Sequence, residues 1–205
     1  MVALRLAPTS KRAARERAHF VLIDESGLLL APLVRRSLAP AGQTPILKQK
    51  ASHRDKVSLI AALCLSPRKR KLSLRFRTYP REYVNNERAA EFLRQVLRQL
   101  RGRVIVLWDG GNMHKGEPIR ELLRRFPRLE LHRLPPYAPE LNPVEHLWNH
   151  LKYTCLVNFA AADVRSLDQA ARRRLHYVKR IDSRLRSFFN VAKLPLAHQK
   201  KMFSG

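Results

Sequence analysis

Three carboxylates stand where apolar segments begin or end. Asp109 closes the run Val104 to Trp108, VIVLW, and is followed by Gly110, Gly111 and Asn112. Asp24 closes the run Phe20 to Ile23 and is followed by Glu25, Ser26 and Gly27. Glu145 lies within PYAPELNPVEHLW, from Pro136 to Trp148, where Asn142 reads as a helix N-cap, Pro143 as the first helical residue and Glu145 as N3. Each acid also has an ordinary explanation. Aspartate is a favoured turn residue, and Asn-x-x-Glu resembles a capping box in which Glu145 returns a hydrogen bond to the Asn142 N–H. If the three meet, however, their charges repel, and the natural neutraliser is a hard divalent cation with oxygen ligands, Mg²⁺ or Mn²⁺. Two such ions would stabilise the attacking and leaving oxygens of a phosphoryl displacement, so the expected chemistry is phosphodiester cleavage or transfer.

The elements that would position these acids are legible in outline. A short apolar run bounded by turn residues reads as a buried strand, which puts Asp24 and Asp109 at strand ends. The chain re-enters an apolar stretch from Leu28 to Val34, so Glu25, Ser26 and Gly27 are expected to form a hairpin turn. Val57 to Leu65 then reads as a third strand, SPRKRK as a basic hairpin tip, and Leu72 to Tyr79 as a strand with one exposed basic face. Helical spacing follows from Glu87 to Leu100, with Ala90, Leu93, Val96, Leu97 and Leu100 on one stripe. After the strand ending at Asp109 come a helix over Pro118 to Phe126 and a strand over Leu129 to Arg133. From Asp163 onward the pattern is one basic helix, its buried stripe being Leu167, Ala171, Leu175 and Val178. Hairpin-linked strands followed by alternating helices and strands predict an α/β fold, a mixed sheet flanked by helices.

The combination of FVLIDESG, LVRRSLAPAGQTP, VLWDGGNMH and YAPELNPVEHLWNHLK resembles the DDE transposases of bacterial insertion sequences related to the mariner superfamily. The resemblance runs from about Phe20 to about Leu196, and the last motif is the most specific. It implies a ribonuclease-H-like fold, with Asp24, Asp109 and Glu145 as the catalytic, metal-binding triad and Mg²⁺ as cofactor, for which Mn²⁺ substitutes. Thirty-five residues separate Asp109 from Glu145, one more than mariner-like relatives often have. The implied activity is cutting of DNA at transposon ends and joining of the freed 3′-hydroxyl to target DNA. A hydrolytic ribonuclease-H-like nuclease and a non-catalytic DNA-binding remnant are the alternatives. Implied partners are DNA, as inverted repeats and as target, and a second copy of the chain in a synaptic homodimer. Such relatives carry helix-turn-helix modules ahead of the core, and the 19 residues before Phe20 are too few to hold one. The expected organisation is a basic arm over 1–19, a catalytic domain over 20–196 and a tail over 197–205.

Further residues are candidates for contact with DNA. Asn149 and Lys152 follow Glu145 by four and seven positions and so share its helix face. Arg35 and Arg36 stand in the basic, turn-rich stretch after the first hairpin, and His114 follows Asp109 by five residues. Glu25 is expected to point away from Asp24 if strand alternation persists. His146 and His150 have zinc-ligand spacing but no evident third ligand.

Composition points to a polyanionic partner. The chain carries 41 Lys and Arg against 16 Asp and Glu, a formal net charge of +25. That excess predicts nucleic-acid binding with strong salt dependence through counterion release, without choosing DNA over RNA. The basic, Ala-rich residues 1–18 are expected to be either a DNA-contacting linker or a solvated tail. No apolar run is long enough to cross a membrane and no secretory signal is apparent, so a cytoplasmic, nucleoid-associated protein is expected. The two cysteines, Cys64 and Cys155, fit reduced thiols in apolar elements.

Overall fold

The computed structural model describes residues 9, 11–43, 46–47, 55–68, 71–109, 116–134, 141–192 and 194. Five strands form one sheet: β1 (His19–Leu29), β2 (Lys56–Leu65), β3 (Leu72–Pro80), β4 (Val104–Trp108) and β5 (Leu129–Arg133), in the order β3-β2-β1-β4-β5. β2 pairs antiparallel with both β1 and β3, whereas β4 pairs parallel with both β1 and β5. The sheet is therefore mixed, as the order of elements in the sequence implied.

Helices cover both faces. α1 (Asn86–Gln99) and α2 (Glu117–Arg125) lie on one side, where Ala90, Leu93, Val96, Ile119 and Leu122 pack with Val21, Ile23, Val106 and Trp108. On the other side lie α3 (Pro143–His150), α4 (Val164–Lys179) and α5 (Asp182–Val191), whose Leu147, Trp148, Leu175 and Phe189 pack with Phe20, Leu22, Ala61 and Leu107. Coverage of both faces explains why β2 and β4 are continuous apolar runs rather than alternating ones.

The expected hairpin at Glu25 to Gly27 does not form. β1 continues through it, and β2 pairs with it without interruption from Phe20↔Leu65 to Leu29↔Lys56. Val57 to Leu65 thus belongs to the second strand, not a third, and residues 32–40 have no regular structure. Glu25, Ser26 and Gly27 have the composition of a turn because turns and polar sites on strands draw on the same residue types. Here the backbone stays extended, and the polarity belongs to side chains at the point where β4 stops.

Two other expectations change. The basic helix after Asp163 is two helices, because Ile181 adopts an extended conformation between α4 and α5. The break returns Leu185, Phe188 and Phe189 to the core, where α5 packs against α3 and β3. α4 itself begins with a full capping box, Asp163 accepting from Ser166 N and the Ser166 hydroxyl accepting from Asp163 N. Over residues 11–18 the N-terminal arm is docked on the domain and is not a solvated tail. Residues 11–15 are helical, Ala13 and Ala18 are buried in the core, and Arg12 makes two hydrogen bonds of 2.7 and 2.9 Å to the Glu130 carboxylate.

The basic face of β3 is also less free than its pattern suggests. Arg75 donates to Gln99 and Arg77 pairs with Glu91 at 2.9 Å, both on α1. Among the described residues no helix is long and apolar enough to cross a membrane. Cys64 is buried, Cys155 is partly exposed, and neither forms a disulfide.

Candidate active site

Parallel pairing of β1 and β4 sets the site. The register runs from His19↔Val104 to Ile23↔Trp108, so one further step along each strand brings Asp24 beside Asp109. Side chains alternate across a strand, which puts both aspartates on the face covered by α3, while Ile23 and Trp108 face α1 and α2. α3 packs against β1 and delivers Glu145 from its first turn.

That turn is built as the sequence suggested, with one difference. Asn142 is the N-cap and Pro143 begins the helix. The Asn142 side chain accepts from Val144 N at 3.1 Å, at position N2 rather than N3. The Glu145 backbone N–H bonds instead to the Asn142 carbonyl at 3.0 Å. In a reciprocal capping box the Asn142 side chain would receive the Glu145 N–H, so the cap here is a simpler one.

Asp24 is 2 % exposed, and its Oδ2 accepts a hydrogen bond of 3.0 Å from the Trp148 indole N–H. Burial pushes its pKa up to about 9, helped by the charges of Glu145, then Asp109, then Glu25, and opposed by the Trp148 hydrogen bond. Glu145 thus exerts the largest charge effect on Asp24 of the three acids. Asp24 and Asp109 come together, and Glu145 is near enough to act on Asp24 through its charge.

The tight group of ligand atoms is completed by Glu25 and does not include Glu145. Asp24, Glu25 and Asp109 each offer a ligand atom within 4.8 Å of the other two, and among the described residues this is the group of His, Cys, Asp and Glu able to hold a metal ion. Glu25 was expected to point away. It does start from the opposite face, where the Trp108 indole N–H donates to its Oε1 at 2.8 Å, but its longer side chain lies at the strand rim and brings the carboxylate back to the pair. Burial raises Glu25 to about 7, with the Trp108 hydrogen bond lowering it and Asp109 raising it.

An all-carboxylate donor set suits a hard, oxygen-seeking cation and not a thiolate- or imidazole-bound metal. The zinc reading of His146 and His150 finds no such support. His150 Nε2 lies 3.4 Å from Cys155 Sγ, and its ring tilts against Phe188.

The other sequence candidates surround this centre unevenly. Asn149 is exposed on α3. After His150 the helix widens into a π-turn over Leu151–Cys155, closed by Leu156 N donating to the Leu151 carbonyl at 2.9 Å. Such widening often marks functional helices, and it turns Lys152 off the strict α-helical face counted from Glu145. Lys152 lines a cavity of about 190 Å³ with Gly27, Leu29, Leu33, Tyr153 and Phe159, beside the end of β1. Arg35 lies over the Tyr153 ring at 5.0 Å, and its backbone N–H donates to Asn158 Oδ1 at 2.8 Å, whereas Arg36 is exposed. His114 lies outside the described residues.

The sequence pattern points Glu25 away from the pair and gives Trp108 and Trp148 no role at the site. The signals were present: an Asp-Glu pair directly after an apolar run, a tryptophan directly before Asp109, and another three residues after Glu145.

A family model for the DDE superfamily endonucleases matches residues 19–168. The chain belongs to that family. None of the curated proteins compared with the chain matches it. Among solved structures, the Mos1 mariner paired-end complex with Mn has a TM-score of 0.62 at 18 % identity, over 94 % of this chain and 58 % of that one. The corresponding complex with Mg gives the same TM-score, 0.62, at 18 % identity and the same coverage, 94 % and 58 %. The Mos1 paired-end complex with the left transposon end gives 0.60 at 19 % identity, over 94 % of this chain and 56 % of that one. Similarity at this level carries the fold, and the DDE chain has the ribonuclease-H-like mixed sheet. It spans less than two thirds of the length of these Mos1 chains.

Proposed function

We propose that this DDE domain is the catalytic part of a transposase, cutting DNA at element ends and joining the freed 3′-hydroxyl to a target by phosphoryl transfer. The observation that carries this is the meeting of buried Asp24 with Asp109 and Glu25 where β4 stops beside β1, with the charge of Glu145 acting on Asp24 from α3. Burying one carboxylate among others costs stability, and a fold retains such a group when a cation repays it. The Mos1 structures named above contain Mn, Mg and transposon ends, which supports the same reading for this chain.

Asp24, Asp109 and Glu145 would hold the divalent ions, Mg²⁺ with Mn²⁺ as substitute. Bound there, the ions supply charge neutralisation and orientation for the attacking and leaving oxygens of the phosphodiester. The chain's own residues do the rest. β1 and β4 fix two carboxylates side by side where β4 stops and β1 runs on, and α3 brings the third from a proline-stiffened helix start. Asn149, Lys152, Arg35 and Arg36 stand on the surrounding surface as phosphate contacts, and His114 remains a candidate. The net charge of +25 provides the attraction that draws DNA to the site. Residues 20–196 form the catalytic unit in this reading, acting as a homodimer on paired ends.

The test is a joining assay with pre-nicked DNA bearing a free 3′-hydroxyl, a plasmid target and Mg²⁺ or Mn²⁺, beside the Glu145→Gln variant. Joined products that vanish in the variant are expected. Metal-dependent cutting without joining favours a hydrolytic nuclease, and DNA binding without either reaction defeats the catalytic reading.

A further inference from the structure

The chain has two tryptophans, and each gives its indole N–H to an acid of the cluster: Trp148 to Asp24 Oδ2 at 3.0 Å, Trp108 to Glu25 Oε1 at 2.8 Å. Both rings are fully buried, one on each side of the sheet. A buried indole usually finds some acceptor, and a backbone carbonyl would serve as well. The choice of site carboxylates by both rings therefore has consequences for the site.

Trp148 is the more telling of the two. It lies three residues after Glu145, one helical turn along α3, and reaches across to β1. Its N–H thus ties the helix that presents one acid to the strand that presents another. A carboxylate on two freely turning bonds offers its oxygens in many directions. The N–H occupies one acceptor position of Asp24 and holds the group's plane, leaving the remaining lone pairs in a set orientation. Partners that orient a metal ligand in this way are worth about 10- to 100-fold in metal affinity.

We propose that Trp148 is a positioning residue of the ion site, its indole N–H fixing the Asp24 carboxylate relative to the helix that carries Glu145, so that divalent cations meet preset oxygens. The inference rests on the reading of the acids as an ion site. It concerns how the site is held, and does not require that the chain join DNA.

The experiment measures Mn²⁺ binding to the full chain by electron paramagnetic resonance, without DNA. The wild type is compared with Trp148→Phe and with a chain carrying benzothienylalanine in place of Trp148, which keeps the bicyclic shape and lacks the N–H. Leu147→Val, a packing change at the neighbouring buried position, serves as control. Both Trp148 replacements are expected to weaken Mn²⁺ binding by about 10-fold or more, and Leu147→Val by less than about twofold. Wild-type affinity with benzothienylalanine would overturn the inference and show that Trp148 only fills space, while leaving the ion site standing. A wild-type chain that binds no Mn²⁺ would remove the ion site and the inference together.

Discussion

Replacing Asp24 by Asn should make the metal-free protein more stable while destroying its chemistry. The folded chain holds the Asp24 proton up to about pH 9, whereas the ordinary value of 3.8 applies once the chain unfolds. Between those limits the folded state binds more protons than the unfolded state, so stability falls as pH rises. At pH 7 the interval from 3.8 is about three units, each worth about 1.36 kcal/mol, so the buried acid costs on the order of 4 kcal/mol. Asparagine removes that cost and retains a carbonyl oxygen for the Trp148 N–H.

Some of the cost disappears when the surroundings relax, and the expected gain for Asp24→Asn is about 2–4 kcal/mol near pH 7, larger near pH 8.5 and close to zero near pH 4. His19 and His150 are pushed below their usual value by burial, and their contributions run the other way, stability rising with pH through their range. They are common to both chains and cancel in the difference. The assay is urea unfolding in EDTA at several pH values, followed by far-UV circular dichroism. A variant no more stable than the wild type near pH 8.5 would refute the account of Asp24 as a buried, unneutralised acid. Saturating Mn²⁺ should reverse the order, since only the wild type retains the full ligand set.

Further outcomes follow from other parts of the structure. Asp109→Ala should abolish metal-dependent cutting and joining yet leave DNA affinity within about threefold, because the attraction comes from basic residues elsewhere; electrophoretic mobility shifts beside the joining assay would expose an active variant, which is incompatible with the proposed triad. Lys152→Ala should lower the slope of log affinity against log salt by about one, the signature of a lost phosphate contact, and an unchanged slope would take Lys152 out of the DNA path. Ala13→Asp should cost about 2–3 kcal/mol in urea unfolding, because it puts a charge into the core packed under the N-terminal helical turn. Wild-type stability in that variant would mean that residues 11–18 do not dock.

Secondary structure was largely written locally. Val104–Trp108 and Leu129–Arg133 are the strands that their apolar runs announced, and Asn142 with Pro143 starts α3 where capping chemistry places it. The three acids were legible for the same reason, since each interrupts an apolar segment. Polar residues inside a strand were harder to interpret: Glu25, Ser26 and Gly27 have turn chemistry, although β1 runs straight through them. A turn and a site use the same residues, and only the pairing partner distinguishes them. The break at Ile181 between α4 and α5 likewise carries no glycine or proline, so helical periodicity alone passed over it.

The sequence by itself determined the kinds of groups present: acids suited to a hard cation, a strongly cationic surface, and apolar runs long enough for a doubly covered sheet. Tertiary structure decided which groups meet. Parallel pairing of β1 with β4 put Asp24 beside Asp109, packing of α3 brought Glu145 to Asp24, and the reach of a glutamate at the rim added Glu25. It also gave two core tryptophans a second task, since an indole N–H in a dry interior must find an acceptor, and here the acceptors are carboxylates of the site. Strand pairing and hydrogen-bond partners across 83 and 124 residues depend on the whole chain being folded, and no local pattern encodes them.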